Sequence, residues 1–129
     1  MTRSWTIIGV ADVRHSVTWY QSLLGLAATA PAHDDFGQIL DPDGAVLLCL
    51  HGWGTEAHPT LTSPHLGTPG NGLLLFLLVD DFDAVLSRAR RLEGGLEEEP
   101  HVNPNTAAAE FSLRDPDGYY LTISALQHD

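Results

Sequence analysis

The chain has 129 residues, with six Lys and Arg against seventeen Asp and Glu and a formal net charge of −11. This charge repels phosphate backbones and anionic lipid, so we expect neither nucleic acid nor a membrane surface as a partner. Apolar residues make up 43% of the chain, and the longest apolar run, Leu73–Val79, is far short of the roughly 20 residues that span a bilayer. The apolar stretch near the N-terminus reaches Asp12 too early for a secretion signal, which predicts a cytoplasmic protein.

The first half of the chain predicts the element order β-α-β-β-β. Residues 5–10 read as a strand, and apolar side chains at helical spacing from Val13 to Leu24 indicate a helix that ends at Gly25. The rest of this half consists of a loose stretch at about 27–31 and two strands, at about 36–40 and 45–51. Cys49, the single cysteine, lies in the second of these apolar strands and is expected to be an inert packing group.

The second half repeats this order after a linker rich in Gly, Pro, Thr and Ser. Leu73–Val79 reads as a strand, and an apolar stripe from Phe82 to Leu92 predicts a helix that Gly94 and Gly95 end. Three strands follow, at about 96–101, 108–114 and 119–125. We therefore predict a single domain over residues 1–129, with one module at about 4–51, a linker loop at 52–71 and a second module at about 72–125.

The tetrapeptide Asp-Pro-Asp-Gly occurs at residues 41–44 and again at 115–118. Asp, Pro and Gly at the first, second and fourth positions suit a type I turn that joins two antiparallel strands. If Asp115 pairs with Tyr119, the second hairpin has an apolar face toward the helix, made of Phe111, Leu113, Tyr119, Leu121 and Ile123. Its other face is polar, with Glu110, Ser112, Arg114, Tyr120, Thr122 and Ser124. In the first half the set that corresponds to this cleft-lining face is more apolar and consists of Gln38, Leu40, Val46, Leu48 and Leu50.

These features together resemble the vicinal oxygen chelate superfamily, which includes glyoxalase I, bleomycin-resistance proteins, fosfomycin-resistance enzymes and extradiol dioxygenases. The resemblance rests on the two modules, on Trp19-Tyr20 and Leu24-Gly25-Leu26 in the first helix, and on Glu110-Phe-Ser-Leu-Arg-Asp-Pro-Asp-Gly118. The segment Asp34-Asp35-Phe36 is similar to the bleomycin-resistance branch in particular. The resemblance implies an α+β fold in which two tandem βαβββ modules form an open, U-shaped mixed sheet around a cleft.

Metal-dependent members of this superfamily hold a divalent ion seven residues before each helix-capping Asp and four residues after the Gly of each turn. In this chain the equivalent positions are Trp5, Leu48, Leu74 and Thr122. An indole and two leucines cannot coordinate a divalent ion, and a lone Thr hydroxyl is a poor ligand. We therefore expect no metal, no cofactor and no catalytic residue at these positions.

The cleft that the resemblance implies combines apolar walls with a few polar groups, as small-molecule pockets do. Trp5 and Trp53 have rings that can stack on a planar ligand, although Trp53 can equally anchor its loop. The segment His101–Asn105 offers an imidazole and amides, although Asn-Pro-Asn is also ordinary turn chemistry. The predicted ligand-contacting residues are Trp5, Gln38, Leu48, Trp53, Leu74, Phe76, His101, Asn103, Glu110, Ser112, Tyr120 and Thr122.

Glu110 has three possible roles. It can act as a general base if burial raises its pKa, it can bind a cationic or amine-bearing ligand, or it can pair with Arg114 on the same strand face. A relocated metal site made of His51, His58, His101 and Glu110 is a further alternative.

The sequence thus supports a metal-independent protein that binds, and does not transform, a small aromatic or cationic compound, including drug sequestration in resistance. Superfamily members commonly pair as homodimers, and the same is expected here. The enzymatic alternative is a glyoxalase-like lyase, isomerase or dioxygenase that uses a divalent metal at the relocated site. A third reading is an interaction module that binds no ligand.

Overall fold

The computed structural model describes residues 1, 3–54 and 58–126. Two compact units make up the chain, residues 1–69 and 70–129, and the boundary falls within the predicted linker. Residues 55–57 of that linker lie outside the described residues. Its described part contains two single-turn 3₁₀ helices, Pro59–Leu61 and Pro64–Leu66. No helix in the described part of the chain is long and apolar enough to cross a membrane.

Unit 1 consists of one helix on a three-stranded sheet. Its elements are β1 (Ile7–Val10), α1 (Val13–Leu24), β2 (Phe36–Leu40) and β3 (Val46–Gly52). The strand order is β1-β3-β2, with β1 parallel and β2 antiparallel to β3. Helix α1 begins where the Asp12 carboxylate accepts a hydrogen bond from the His15 amide, and it ends at Gly25 in the left-handed conformation with φ 69°.

The predicted β-α-β-β-β order is wrong for this unit, because the loose stretch at 27–31 forms no strand. The Gln21 amide nitrogen donates to the Thr29 carbonyl at 3.1 Å and contacts the Thr29 hydroxyl at 3.0 Å. The Gln21 amide oxygen accepts from the Thr29 backbone N–H at 3.4 Å. A buried side chain of α1 therefore satisfies the polar groups that a strand would have paired with a neighbour.

A β-bulge at Leu47 sets which residues of β3 face the helix. Leu40 pairs with Val46, but Ile39 pairs with Leu48, so Leu47 of β3 has no paired residue on β2. Ile39, Leu48 and Leu50 consequently lie on the α1 side and are buried. Gln38 pairs with Cys49 and lies on the opposite face, as predicted, whereas Leu48 and Leu50 were predicted for that face and lie on the α1 side.

Unit 2 has the predicted β-α-β-β-β order. Its elements are β4 (Leu75–Val79), α2 (Phe82–Arg91), β5 (Glu98–Val102), β6 (Ala109–Arg114) and β7 (Tyr120–Ala125). They form a four-stranded sheet in the order β4-β7-β6-β5, in which β4 and β7 are parallel. Helix α2 begins at Asp81, whose carboxylate accepts from the Ala84 amide.

The 115–118 turn has the predicted geometry and fixes the register of the β6–β7 hairpin. The Asp115 amide donates to the Tyr119 carbonyl, and the Asp115 carboxylate accepts from the amides of Asp117 and Tyr119. The helix-facing residues are the predicted ones, and the Phe82 ring of α2 lies 5.4 Å from the Phe111 ring. Full burial of one such side chain contributes about 1.5–3 kcal/mol. The fully buried members of this face are Phe111, Leu113, Leu121 and Ile123.

Candidate functional site

The face of the unit 2 sheet opposite α2 brings most of the predicted polar residues together. Strand pairing arranges its side chains in rows that run from β4 to β5. One row is Phe76, Thr122, Ser112 and Glu98, and the next is Leu78, Ser124, Glu110 and His101. By alternation, Leu74 begins a third row with Tyr120 and Arg114. We call this surface the graded face, because its side chains change from apolar on β4 to charged on β5.

The β4 edge of the graded face is apolar. Leu74, Phe76 and Leu78 are 54%, 42% and 60% exposed, which is high for side chains of this size. They stand on one side of an edge strand, whereas Leu75 on the other side of β4 is buried. These three side chains therefore form an accessible apolar strip against which a ring can pack.

Short hydroxyl side chains occupy the middle of the graded face. Ser112, Thr122 and Ser124 are all buried. The Ser112 and Thr122 hydroxyl oxygens lie 3.0 Å apart and share a hydrogen bond. Because each of these two hydroxyls has the other as its hydrogen-bond partner, burying the pair costs little free energy. The pair forms a neutral polar surface between the two edges of the face, which we call the hydroxyl floor.

The β5 edge carries a cluster of two carboxylates, an imidazole and an amide. The Nε2 atom of His101 lies 3.0 Å from Glu98 Oε1 and 3.5 Å from Glu110 Oε1. The Asn103 amide nitrogen lies 3.3 Å from both carboxylate oxygens of Glu110. The Asn103 side-chain oxygen accepts from the Asn105 amide at 2.8 Å, so the Asn-Pro-Asn turn aims the amide nitrogen at Glu110. Turn formation and contact with Glu110 are thus compatible roles for Asn103.

Glu110 is the sheltered carboxylate of this cluster. Its side chain is 12% exposed, against 51% for that of Glu98. Partial burial strengthens the attraction between a carboxylate and a cation because water screens the pair less. Glu110 is therefore the residue of the graded face best placed to hold a ligand cation.

His101 is held in a setting that favours its charged form. Its Nδ1 atom lies 3.0 Å from the Glu99 carbonyl oxygen, which only accepts hydrogen bonds. Its pKa is raised above the ordinary value by this hydrogen bond and by the charges of Glu98 and Glu110, while partial burial opposes the rise.

Arg114 does not pair with Glu110, although both lie on the graded face. Its Nε atom lies 3.4 Å from Glu97 Oε1, and its Nη1 atom donates to the Gly118 carbonyl at 2.8 Å. Its guanidinium stacks over the Tyr120 ring at 4.9 Å. The alternative in which Arg114 holds Glu110 is therefore wrong, since these other contacts engage the guanidinium. The hydroxyl of Tyr120 donates a hydrogen bond to the Glu98 carboxylate at 3.4 Å.

In unit 1, the face opposite α1 carries an aromatic group around His51. The His51 ring lies 6.0 Å from the Phe36 ring and 5.5 Å from the His58 ring. The Trp53 indole covers Gly9, because a Cβ atom built there would lie 2.6 Å from the ring. This contact matches the alternative in which Trp53 anchors its loop on the sheet.

Two other predicted residues of unit 1 line recesses. Trp5 is 55% exposed and borders a recess of about 690 Å³ together with Arg3 and the turn residues 43–46. Gln38 borders a recess of about 260 Å³ between the end of α1 and β2, and its amide donates to the Cys49 sulfur at 3.7 Å.

The predicted position of Leu48 is wrong. Counting from the Gly of each turn makes Leu48 the equivalent of Thr122, but the bulge at Leu47 advances β3 by one residue. Cys49 consequently takes that place, and Leu48 is buried on the α1 side. Burial raises the pKa of the Cys49 thiol, and the hydrogen bond from Gln38 opposes that rise.

Glu98 belongs to the cluster, yet the sequence analysis missed it. Between the Glu98–Ser112 and His101–Glu110 pairs, two residues of β5 oppose one of β6, and this bulge brings the Glu98 and His101 side chains to one face. Pro100 lies inside the bulge and cannot donate to a strand ladder, so it was the available signal. No comparable signal marks the bulge at Leu47.

The four residues of the relocated metal alternative fall into two pairs. His51 lies beside His58 in unit 1, and His101 lies beside Glu110 in unit 2. Among residues 1, 3–54 and 58–126 there is no group of three or more His, Cys, Asp or Glu side chains that could hold a metal ion. In the Glu98–His101–Glu110 cluster, the imidazole nitrogen already fills the space between the two carboxylates.

Comparison with protein families identifies the fold. The family model of the glyoxalase/bleomycin resistance protein/dioxygenase superfamily matches residues 3–123. The chain belongs to this superfamily. The positions that the resemblance equates with family metal ligands do not fit a divalent ion. Trp5 and Leu74 offer no donor atom to it, Thr122 offers one hydroxyl, and Cys49, in place of Leu48, offers one buried thiol whose pKa is raised.

Solved structures of the superfamily cover nearly the whole chain. A glyoxalase/bleomycin resistance protein from Catenulispora acidiphila is 22% identical, with a TM-score of 0.65, over 98% of this chain and 100% of that one. A lactoylglutathione lyase from Agrobacterium tumefaciens is 17% identical, with a TM-score of 0.66, over 96% and 92%. The oxidase ChaP-H1 is 22% identical, with a TM-score of 0.70, over 98% and 97%. At these identities the likeness establishes the fold alone, and no curated protein matches the sequence.

Proposed function

We propose that this protein binds a small organic compound that has an aromatic part and a cationic part, and holds it without transforming it. The observation that carries the proposal is the sheltered Glu110 carboxylate on the same sheet face as the apolar strip of β4. Sequestration of this kind lowers the free concentration of a toxic compound, and the likeness to a glyoxalase/bleomycin resistance protein supports that role.

The two edges of the graded face suit the two parts of such a ligand. A ring packed on Phe76 and Leu74 removes apolar surface from water, and its contact with the Phe76 ring adds about 0.5–1.5 kcal/mol. Neighbouring strands lie about 4.8 Å apart, so Glu110 on β6 stands roughly 10 Å from the apolar strip on β4. The favoured ligand is therefore elongated, with its cation about that distance from its ring.

The hydroxyl floor is suited to contact with a ligand and not to nucleophilic catalysis. Ser112 and Thr122 hydrogen-bond each other, and neither has a histidine or carboxylate among the hydrogen bonds of its hydroxyl. A hydroxyl needs an adjacent base to become a nucleophile.

Calorimetry with a permanent aromatic cation tests the proposal. The probe is (5-phenylpentyl)trimethylammonium, whose extended chain places the cation about 9 Å from the ring centre, and its neutral carbon isostere, with C(CH3)3 in place of the ammonium, is the ligand control. We expect the cation to bind at least about tenfold more tightly than the isostere, which corresponds to about 1.4 kcal/mol. Glu110→Gln should remove that preference, whereas Glu93→Gln, which removes the same charge from an exposed site after α2, should retain it. Equal affinity for the two probes in the unmodified protein would exclude a cation site.

A second candidate is the divalent-metal-dependent lyase, isomerase or dioxygenase with a relocated site. The closeness of the His51 and His58 rings and the likeness to a lactoylglutathione lyase and an oxidase favour it. Elemental mass spectrometry after dialysis against nickel, zinc, manganese or iron(II) distinguishes the two. Stoichiometric metal that survives desalting, and is lost in His51→Ala, supports the enzyme.

Homodimer formation remains part of the proposed function. Strands β1 and β4 are outer strands of their sheets, and such edges are suited to contact with a second chain. Light scattering of the purified protein measures its mass in solution directly, and a mass of one chain at all concentrations would contradict a dimer.

A further inference from the structure

The space between Glu98 and Glu110 already holds a positive group when His101 is protonated. Because Nδ1 faces the Glu99 carbonyl, it must carry a hydrogen to make that bond. Nε2 faces two carboxylate oxygens, at 3.0 and 3.5 Å, and it can donate to them only if it also carries a hydrogen. Both nitrogens are protonated only in the imidazolium, so the geometry matches the charged ring and not the neutral one.

We infer that the His101 imidazolium is an internal occupant of the cation site, which the cation of a bound ligand replaces as His101 loses its proton or swings away. This inference rests on the proposed function, because it concerns the same site. Protons and ligand cations then compete for the pair of carboxylates.

His101 is placed so that it can leave the site. It lies on β5, which is an edge strand of the unit 2 sheet, and its side chain is 36% exposed. The bulge between Glu98 and His101 interrupts the ladder to β6 next to it. Rotation of the side chain away from Glu110 therefore breaks no strand pairing.

The other charged groups around His101 are engaged elsewhere or face the site as acceptors. Arg90 pairs with Glu99 at 2.9 Å, and Arg114 pairs with Glu97. Glu98 accepts from Tyr120, and Glu110 accepts from Asn103. His101 is the cationic group that lies against Glu110, with Nε2 3.5 Å from its Oε1.

Competition predicts that binding of a permanent cation strengthens as the pH rises. Where His101 is protonated in the free protein and neutral in the complex, one proton is released for each ligand bound. The affinity then changes by up to about tenfold per pH unit and levels off above the pKa of His101.

Binding of (5-phenylpentyl)trimethylammonium from about pH 6 to about pH 9 tests the inference by calorimetry. The unmodified protein should bind more tightly, by roughly tenfold or more, at the upper end. His101→Ala should bind at least as tightly at both ends and more tightly than the unmodified protein at the lower end. His101→Gln, which keeps a polar side chain at the position, should behave likewise, and thermal unfolding verifies that both variants fold. His33→Ala, which removes an exposed histidine from unit 1, should behave as the unmodified protein does.

The possible outcomes separate the inference from the proposed function. If the unmodified protein binds but His101→Ala and His101→Gln bind more weakly at low pH, His101 contacts the ligand directly and the inference is wrong while the function stands. A pH dependence that persists in both variants also overturns it. If no protein binds the probe at any pH, the proposed function fails and the inference fails with it.

Discussion

The Nε2 atom of His101 lies 3.0 Å from Oε1 of Glu98, although residues three apart on a regular strand point to opposite faces. A bulge makes this contact possible, because Glu99 and Pro100 of β5 oppose the single residue Phe111 of β6. Proline has no backbone N–H, so a bulge on an edge strand suits it. One proline thus places a second carboxylate beside the Glu110–His101 pair.

The raised pKa of His101 predicts a pH-dependent stability. Because the folded-state pKa lies above the unfolded value near 6.5, the contribution of His101 is fully present below pH 6.5 and is lost as the pH rises through the folded value. The free energy of unfolding of the unmodified protein, minus that of His101→Gln, should therefore fall as the pH rises above 6.5. Urea denaturation at a series of pH values measures this difference. A difference that grows with pH contradicts the assignment.

The Ser112–Thr122 hydrogen bond predicts non-additive substitutions. Thr122→Val leaves the buried Ser112 hydroxyl without its partner, which should cost about 1–3 kcal/mol. Adding Ser112→Ala removes the unsatisfied group, so the double variant should lose less stability than the sum of the two single variants. Denaturant unfolding of the four proteins measures the coupling, and additive losses would show that the two hydroxyls do not interact.

Unit 2 could be predicted from the sequence, whereas the register of unit 1 could not. In unit 2 the Asp115–Gly118 turn fixes the hairpin, and apolar residues alternate with polar ones along β6 and β7, so each side chain could be assigned to a face. In unit 1, residues 46–50 are apolar without interruption, and such a run carries no alternation. The bulge at Leu47 therefore left no trace in the sequence.

The same reasoning explains the outcome at the candidate site. Leu74, Phe76, Glu110, Ser112, Tyr120 and Thr122 share one face because β4, β6 and β7 follow simple alternation. Glu98 was missed because a bulge on β5 departs from that rule. The stretch at 27–31 was predicted as loose, and the contact between Gln21 and Thr29 that holds it could not be read from a pattern of propensities. The ligand, the homodimer and the cytoplasmic location remain predictions.

Gly37 should resist substitution because α1 packs directly on it. A Cβ atom there would lie 2.7 Å from Val17 and 3.2 Å from both Val13 and Pro31. Gly37→Ala should destabilise the protein by about 1–3 kcal/mol through overpacking. Gly67→Ala is the matched control, since Gly67 has an extended backbone and no atom within 4 Å of the added Cβ. Equal thermal unfolding of the two variants would contradict the packing of α1 on β2.

Cys49 should be unreactive in the folded protein. It is fully buried, and burial raises the pKa of its thiol, so little of the reactive thiolate forms near neutral pH. A chromogenic disulfide reagent should label it much more slowly in buffer than in denaturant. Labelling at the same rate in both would place the thiol at the surface and overturn the register of β3.

Chemical-shift mapping with (5-phenylpentyl)trimethylammonium tests the binding face most directly. Backbone amide spectra of the 129-residue chain, recorded during a titration above pH 8, report which residues respond. We predict that the largest changes occur in β4, β6 and β7 and at His101, and that they disappear in Glu110→Gln but not in Glu93→Gln. Changes confined to the recess beside Trp5, or to the aromatic group around His51, would contradict the graded face as the ligand site.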